Sequence, residues 1–178
     1  DKLRNQGLRK AIIAVPERSI ASSFASTPLA SEGFFADWVV EPQNNLCSPG
    51  GDQGKVKAFT EFMNCPGEIL VCTHATLRFA FEAIEEELFN DCLLAIDEFH
   101  HVSANPDNKL GDHVRQFMAR DKAHVVAMTG SYFRGDAEAV LHPEDEEKFE
   151  TVTYTYYEQL NGYEYLKQLD IGYVFYAA

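Results

Sequence analysis

The chain has 178 residues, 46% hydrophobic and 12% aromatic, enough for one domain with a sizeable core. Its 28 acids against 15 Lys and Arg give a net charge of −13, which argues against capture of nucleic acid by bulk charge and leaves room only for a local basic track. No run approaches a membrane span, so no membrane partner is expected, and no signal peptide opens the chain. Cys47, Cys65, Cys72 and Cys92 are spaced 18, 7 and 20 apart, neither a zinc pattern nor a disulfide framework, which fits a reducing cytoplasmic setting.

In chain order, apolar β-rich runs alternate with helical periodicity. Leu8–Val15 reads as a strand stopped by Pro16, and Ser19–Phe24 as the start of a helix broken near Pro28. Trp38-Val39-Val40 suggests a short strand, and Cys47–Gly54 a turn-rich loop. Lys55–Met63 places Val56, Phe59, Phe62 and Met63 on one helical face. Then come a strand at Glu68–Thr73, a helix at Ala75–Glu87, a strand at Cys92–Asp97, a helix at Asp112–Ala119 and a strand at Ala123–Thr129. Val140–Lys148 is polar and acidic, with a further strand expected at Phe149–Tyr154. Near-continuous apolar strands between helices imply an α/β fold with a mostly parallel sheet sandwiched by helices. Residues 1–154 are expected to form the domain, and 155–178 a Tyr-rich tail or the start of a linker.

Chemistry concentrates where strands stop. Leu93-Leu94-Ala95-Ile96-Asp97-Glu98-Phe99-His100-His101 carries an apolar strand straight into two acids and two histidines. A parallel strand of this kind delivers its acids to the carboxyl edge, where open α/β sheets bind ligands. As plain structure, an acid there merely caps the next helix. A metal site of Asp97, Glu98, His100 and His101 is a further alternative, disfavoured because adjacent histidines point to different sides of a regular element.

The pattern hhhhDExH resembles motif II of superfamily 2 helicases of the DEAD/DEAH-box type. Three companions follow the family order. Val15-Pro16-Glu17-Arg18-Ser19-Ile20-Ala21 resembles motif Ia, Val71-Cys72-Thr73-His74-Ala75-Thr76-Leu77 resembles motif Ib, and Val126-Ala127-Met128-Thr129-Gly130-Ser131 resembles motif III. The last continues into Tyr132-Phe133-Arg134, as in the DNA translocase and restriction-motor branch. Pro16, Thr73, Asp97 and Thr129 are separated by 57, 24 and 32 residues, spacings that fit one RecA-like motor domain.

The resemblance covers residues 8–135 and implies specific roles. Asp97 would hold Mg²⁺, Glu98 would orient the water attacking ATP, and His100 would complete the catalytic set with them. Thr129, Gly130 and Ser131 would couple nucleotide state to movement of a second RecA-like domain. Pro16, Arg18, Thr73, His74 and Thr76 would follow the phosphates of DNA, with RNA also possible. Taken as plain structure, Pro-Glu-Arg is a strand-to-helix turn and Thr73 or Thr76 an N-cap.

One feature of the family is missing. Gly50-Gly51-Asp52-Gln53-Gly54-Lys55 only looks like a phosphate loop: Pro49 stands where the first Gly belongs, and Val56 where a hydroxyl belongs. With no GxxxxGK[ST] and no initial Met, the resemblance implies a piece of a longer ATPase, inert alone because its phosphate-gripping loop lies outside it. The rival expectation is a noncatalytic α/β module whose acidic edge binds a protein partner. The Tyr-rich tail, with Lys167 amid Glu158, Glu164 and Asp170, is better suited to packing than to base stacking.

Overall fold

The computed structural model describes residues 5–48, 54–102, 108–130, 141–155 and 158. The chain divides into two units, Asp1–Glu146 and Glu147–Ala178. The first is built on a four-stranded, all-parallel sheet in the order β2-β1-β3-β4. Its strands are β1 (Lys10–Val15), β2 (Ile69–Thr73), β3 (Cys92–Ile96) and β4 (His124–Ala127). The helices are α1 (Lys55–Asn64), α2 (His74–Ala83), α3 (Lys109–Arg120) and a single turn, α4 (Pro143–Glu146).

Burial on both faces explains why these strands lack a polar alternation. All six residues of β1 are buried, including Lys10, whose Nζ donates to the carbonyls of Cys65 and Gly67 at 2.7 Å each. One face, with Ile12, Ala14, Leu70, Cys72, Leu94 and Ile96, packs in one core with Phe59, Phe62, Leu77, Ala80, Val114 and Phe117 of the helices. The other, with Ala11, Ile13, Val15, Ile69, Val71 and Ala95, is covered by Ala21, Val40 and Cys47, and by the partly buried Ile20, Phe24 and Trp38. Helices α1, α2 and α3 thus share one face, while shorter segments close the other.

That second face departs from expectation in its local structure. Ile20–Phe24 is a 3-10 turn rather than the start of an α-helix. Its serines compete for the backbone, as Ser22 Oγ donating to the Ser19 carbonyl at 2.9 Å shows. Trp38–Val40 makes only an isolated antiparallel bridge, Thr27 to Trp38, with Val39 left 59% exposed. Helix α2 stops at Ala83 because the buried Ile84 turns extended, and a 3-10 turn, Glu86–Phe89, follows. Helix α3 begins earlier than its apolar periodicity indicates, since Asn108 caps it by accepting from the Gly111 amide. In the second unit, the strand expected at Phe149–Tyr154 does not form: those residues are irregular, and Val152 is 91% exposed. The Tyr-rich tail beyond lies mostly outside the described residues.

Candidate active and nucleic-acid sites at the carboxyl edge

Because every strand runs the same way, all four deliver their carboxyl ends to one edge. The motifs singled out by sequence follow those ends directly: Pro16–Arg18 after β1, His74–Thr76 after β2, Asp97–His100 after β3 and Thr129–Gly130 after β4. Ser131 lies outside the described residues.

At β3 and β4, main-chain bonds continue past the strands. The Met128 amide donates to the Ile96 carbonyl at 2.9 Å, and the Phe99 amide to the Met128 carbonyl at 2.8 Å. This locks the segment carrying Asp97 and Glu98 against the one carrying Thr129. Asp97 is fixed by its own backbone: its amide donates to the Ala14 carbonyl at 2.8 Å, and its carbonyl lies 2.9 Å from His74 Nε2. Glu98 takes a left-handed conformation at φ 48, unusual for a residue with a long side chain. Its carboxylate, half exposed, lies 3.2 Å from His100 Nδ1. The same nitrogen lies 2.9 Å from Thr129 Oγ1. An Nδ1–H ring can donate to either oxygen, so His100 stands between the second acid and the Thr hydroxyl.

At β1 and β2 the edge opens into a cleft of about 680 Å³, lined by Pro16, Glu17, Arg18, Ser19, Lys55, Val56, Thr73, Ala75, Thr76 and Phe79. Thr73 does what an N-cap does, accepting from the Thr76 amide at 3.2 Å, while its hydroxyl lies 3.0 Å from that of Thr76. The structure therefore brings Pro16, Arg18, Thr73 and Thr76 together in one place. His74 does not line that cleft; its ring is aimed at Asp97. Burial lowers the His74 pKa, outweighing the Asp97 and Ala14 carbonyls that favour its charged form, so the ring is neutral near pH 7.

Two cleft residues escaped the sequence reading. Lys55 opens α1, as the helix expected at Lys55–Met63 has it, behind Gly54, whose φ of +95 lets the chain turn into the helix; its place at the cleft is what the sequence does not show. Arg18 and Lys55 both line this cleft, and their charges partly offset the burial that raises the Cys47 thiol. Phe79 is 46% exposed at the cleft, with the Arg78 guanidinium 4.3 Å above its ring. An exposed aromatic one helical turn beyond Thr76 is the signal that would have found it.

Among the described residues, no group of three His, Cys, Asp or Glu side chains converges to cage an ion. A magnesium ion at a nucleotide site takes only one or two protein carboxylates and completes its shell with phosphate and water. Asp97 at the carboxyl edge meets that modest requirement. All four cysteines are free thiols, and no described helix is long and apolar enough to cross a membrane.

No family model and no solved structure matches the chain. Over 176 residues, 99% of its length, it is 62% identical to a Bacillus subtilis (strain 168) protein named "Putative ATP-dependent helicase YeeB". It spans 29% of that relative's length.

Proposed function

We propose that the chain is part of the first RecA-like motor domain of a superfamily 2 helicase or translocase, with Asp97-Glu98-Phe99-His100 as its motif II. The observation that carries this reading is the bridge from motif II to the next strand end: His100 meets Glu98 and Thr129 through one nitrogen, at 3.2 and 2.9 Å. The name of the Bacillus subtilis relative supports the same class.

The chemistry is ATP hydrolysis, in which catalysis is mostly positioning and charge neutralisation. Asp97 would hold Mg²⁺, which supplies neutralisation of phosphate charge. Glu98 orients or deprotonates the attacking water. His100 passes the state of that site to Thr129, Gly130 and Ser131, and through them to a second RecA-like domain. The cleft of Pro16, Arg18, Thr73 and Thr76, with Lys55 added, takes the sugar-phosphate backbone, DNA by preference and RNA as the alternative. The chain contains no GxxxxGK[ST], so alone it hydrolyses ATP little, and the activity belongs to the whole protein. Free thiols throughout suit a cytoplasmic setting.

In the whole protein, Glu98→Gln should abolish turnover while ATP binding, measured by fluorescent-nucleotide titration, stays within about twofold of wild type, since neither a binding charge nor a fold contact is lost. Wild-type turnover in that variant would remove Glu98 from the chemistry. The rival reading, a protein-interaction module, draws on Phe34 and Phe35, which are 62% and 73% exposed. It requires that the whole protein bind its partner regardless of ATP.

A further inference from the structure

His74 sits at the junction of the two halves of the edge. It is the first residue of α2, set in the chain between Thr73 and Ala75, both of which line the cleft. Its ring turns away from that lining, passes the end of β1, which lies between β2 and β3, and reaches the Asp97 carbonyl at 2.9 Å. From there aromatic contacts continue. The His74 and His101 rings meet edge-on with centroids 6.4 Å apart, and those of His101 and His100 are 4.3 Å apart. His100 ends the series at Thr129.

The atom that His74 holds is informative. The Asp97 carbonyl belongs to the planar peptide unit that continues into the Glu98 amide. Fixing that oxygen fixes the plane about which Glu98 takes its φ of 48. A left-handed non-glycine residue relaxes unless its surroundings over-determine it. Here the far end of the peptide is held by a side chain whose two chain neighbours, Thr73 and Ala75, line another site. The His74 ring thus gives the first turn of α2 a direct hydrogen-bonded link to the peptide that orients the second acid.

We infer that His74 is a positioning residue that couples occupancy of the cleft to the orientation of Glu98, rather than a contact to nucleic acid. This rests on the functional reading above, and it adds a physical link between the two sites.

The test is made in the whole protein, with ATPase followed against double-stranded DNA, single-stranded DNA and RNA. The quantity read is the ratio of stimulated to basal rate, together with the half-saturating nucleic-acid concentration. His74→Ala should cut the stimulation ratio about tenfold, within the usual span of intersite coupling, and leave half-saturation unchanged. His74→Gln, whose amide can still donate to the Asp97 carbonyl, should restore most of the ratio. Three results overturn the coupling role. An unchanged ratio in His74→Ala means that no signal passes through the ring. A raised half-saturating concentration with a full stimulated maximum means that His74 grips the ligand. Basal and stimulated rates falling together in both variants mean that it serves only the fold. Should the wild-type protein show no stimulation by any of the three nucleic acids, the functional reading fails as well, and the coupling role with it.

Discussion

His100 reaches Thr129 across the gap between two adjacent parallel strands, Nδ1 to Oγ1 at 2.9 Å. The contact joins two segments 29 residues apart in sequence, and the backbone bonds from Phe99 to Met128 and from Met128 to Ile96 hold both in register beneath it. The side-chain bond is thus the upper rung of a ladder that the sheet itself has begun. A hydroxyl and an imidazole are the right pair for a link that must form and break, since a single neutral hydrogen bond contributes only about 1 kcal/mol net.

A double-mutant cycle measures that link. His100→Ala and Thr129→Val, singly and together, are compared by urea denaturation of this chain. The coupling energy should be about 0.5–1.5 kcal/mol, the range for one partly buried hydrogen bond. Strict additivity would show that the two side chains are neighbours without an energetic bond, and that His100 owes its position to other contacts, those with Glu98 and His101 among them.

Arg18 and Lys55 are expected to act together on a phosphate chain in the cleft. Each single replacement by Ala, in the whole protein, should weaken nucleic-acid binding and lower the slope of log affinity against log salt by about 1, as loss of one phosphate contact does. Neither should alter preference between sequences, because phosphates carry none. Filter binding across a salt series decides it. An unchanged slope for Lys55→Ala would return that residue to the role of an ordinary helix start.

Much of this edge was legible in the sequence because strands written as unbroken apolar runs admit one packing, and parallel strands admit one common edge. Asp97 after Cys92-Leu93-Leu94-Ala95-Ile96 had nowhere else to go. What sequence could not give were features set by side-chain direction and by distant partners. His74 reads as one polar residue among Thr73, Ala75 and Thr76, yet the 3.6-residue turn sends it away from them, and only the sheet order β2-β1-β3 reveals what it meets. Lys55 lies 37 residues from Arg18, and only the fold brings the two to the lining of one cleft. The short strand expected at Trp38–Val40 failed for a different reason: its β propensity is met by packing Trp38 and Val40 over the sheet, with only an isolated bridge to Thr27 and no partner strand.

The left-handed Glu98 gives a prediction of unusual sign. Glu98→Gly and Glu98→Ala both remove the carboxylate and its contact with His100, so the difference between them isolates the backbone. Elsewhere in a strand or helix, Gly is the less stable of the two by roughly 0.5–1 kcal/mol. At a φ of 48 the order should reverse, with the Gly variant more stable by about 1 kcal/mol because it alone escapes the steric cost of that conformation. Denaturant midpoints of the two variants of this chain provide the comparison. An Ala variant at least as stable as the Gly variant would mean that this backbone carries no strain.

The last prediction concerns the opposite end of the sheet, where Lys10 and Cys92 are register partners on β1 and β3. Burial pushes the Cys92 thiol up from 9.0 to about 11, although the cations of Arg9 and Lys10 pull the other way. An acid whose pKa is raised by folding holds its proton longer in the native chain than in the unfolded one. Between pH 9 and 11 the unfolded state therefore loses the proton first, and stability falls as pH rises through that window. Lys10 opposes this slope, because burial lowers its pKa from 10.5 and folding then favours its neutral form. Replacing Cys92 by Ala removes the first contribution and leaves the second. Unfolding free energy measured from pH 8.5 to 11 should thus decline less steeply in Cys92→Ala than in the parent chain, a window set by the unfolded and folded thiol values. At pH 8 the same burial should leave Cys92, along with the buried Cys47 and Cys72, unreactive to iodoacetamide until the chain unfolds, while the half-buried Cys65 reacts first. Parallel pH profiles for the two proteins, or rapid alkylation of Cys92 in the native chain, would show that the thiol is open to water and that the β1–β3 start is looser than its packing implies.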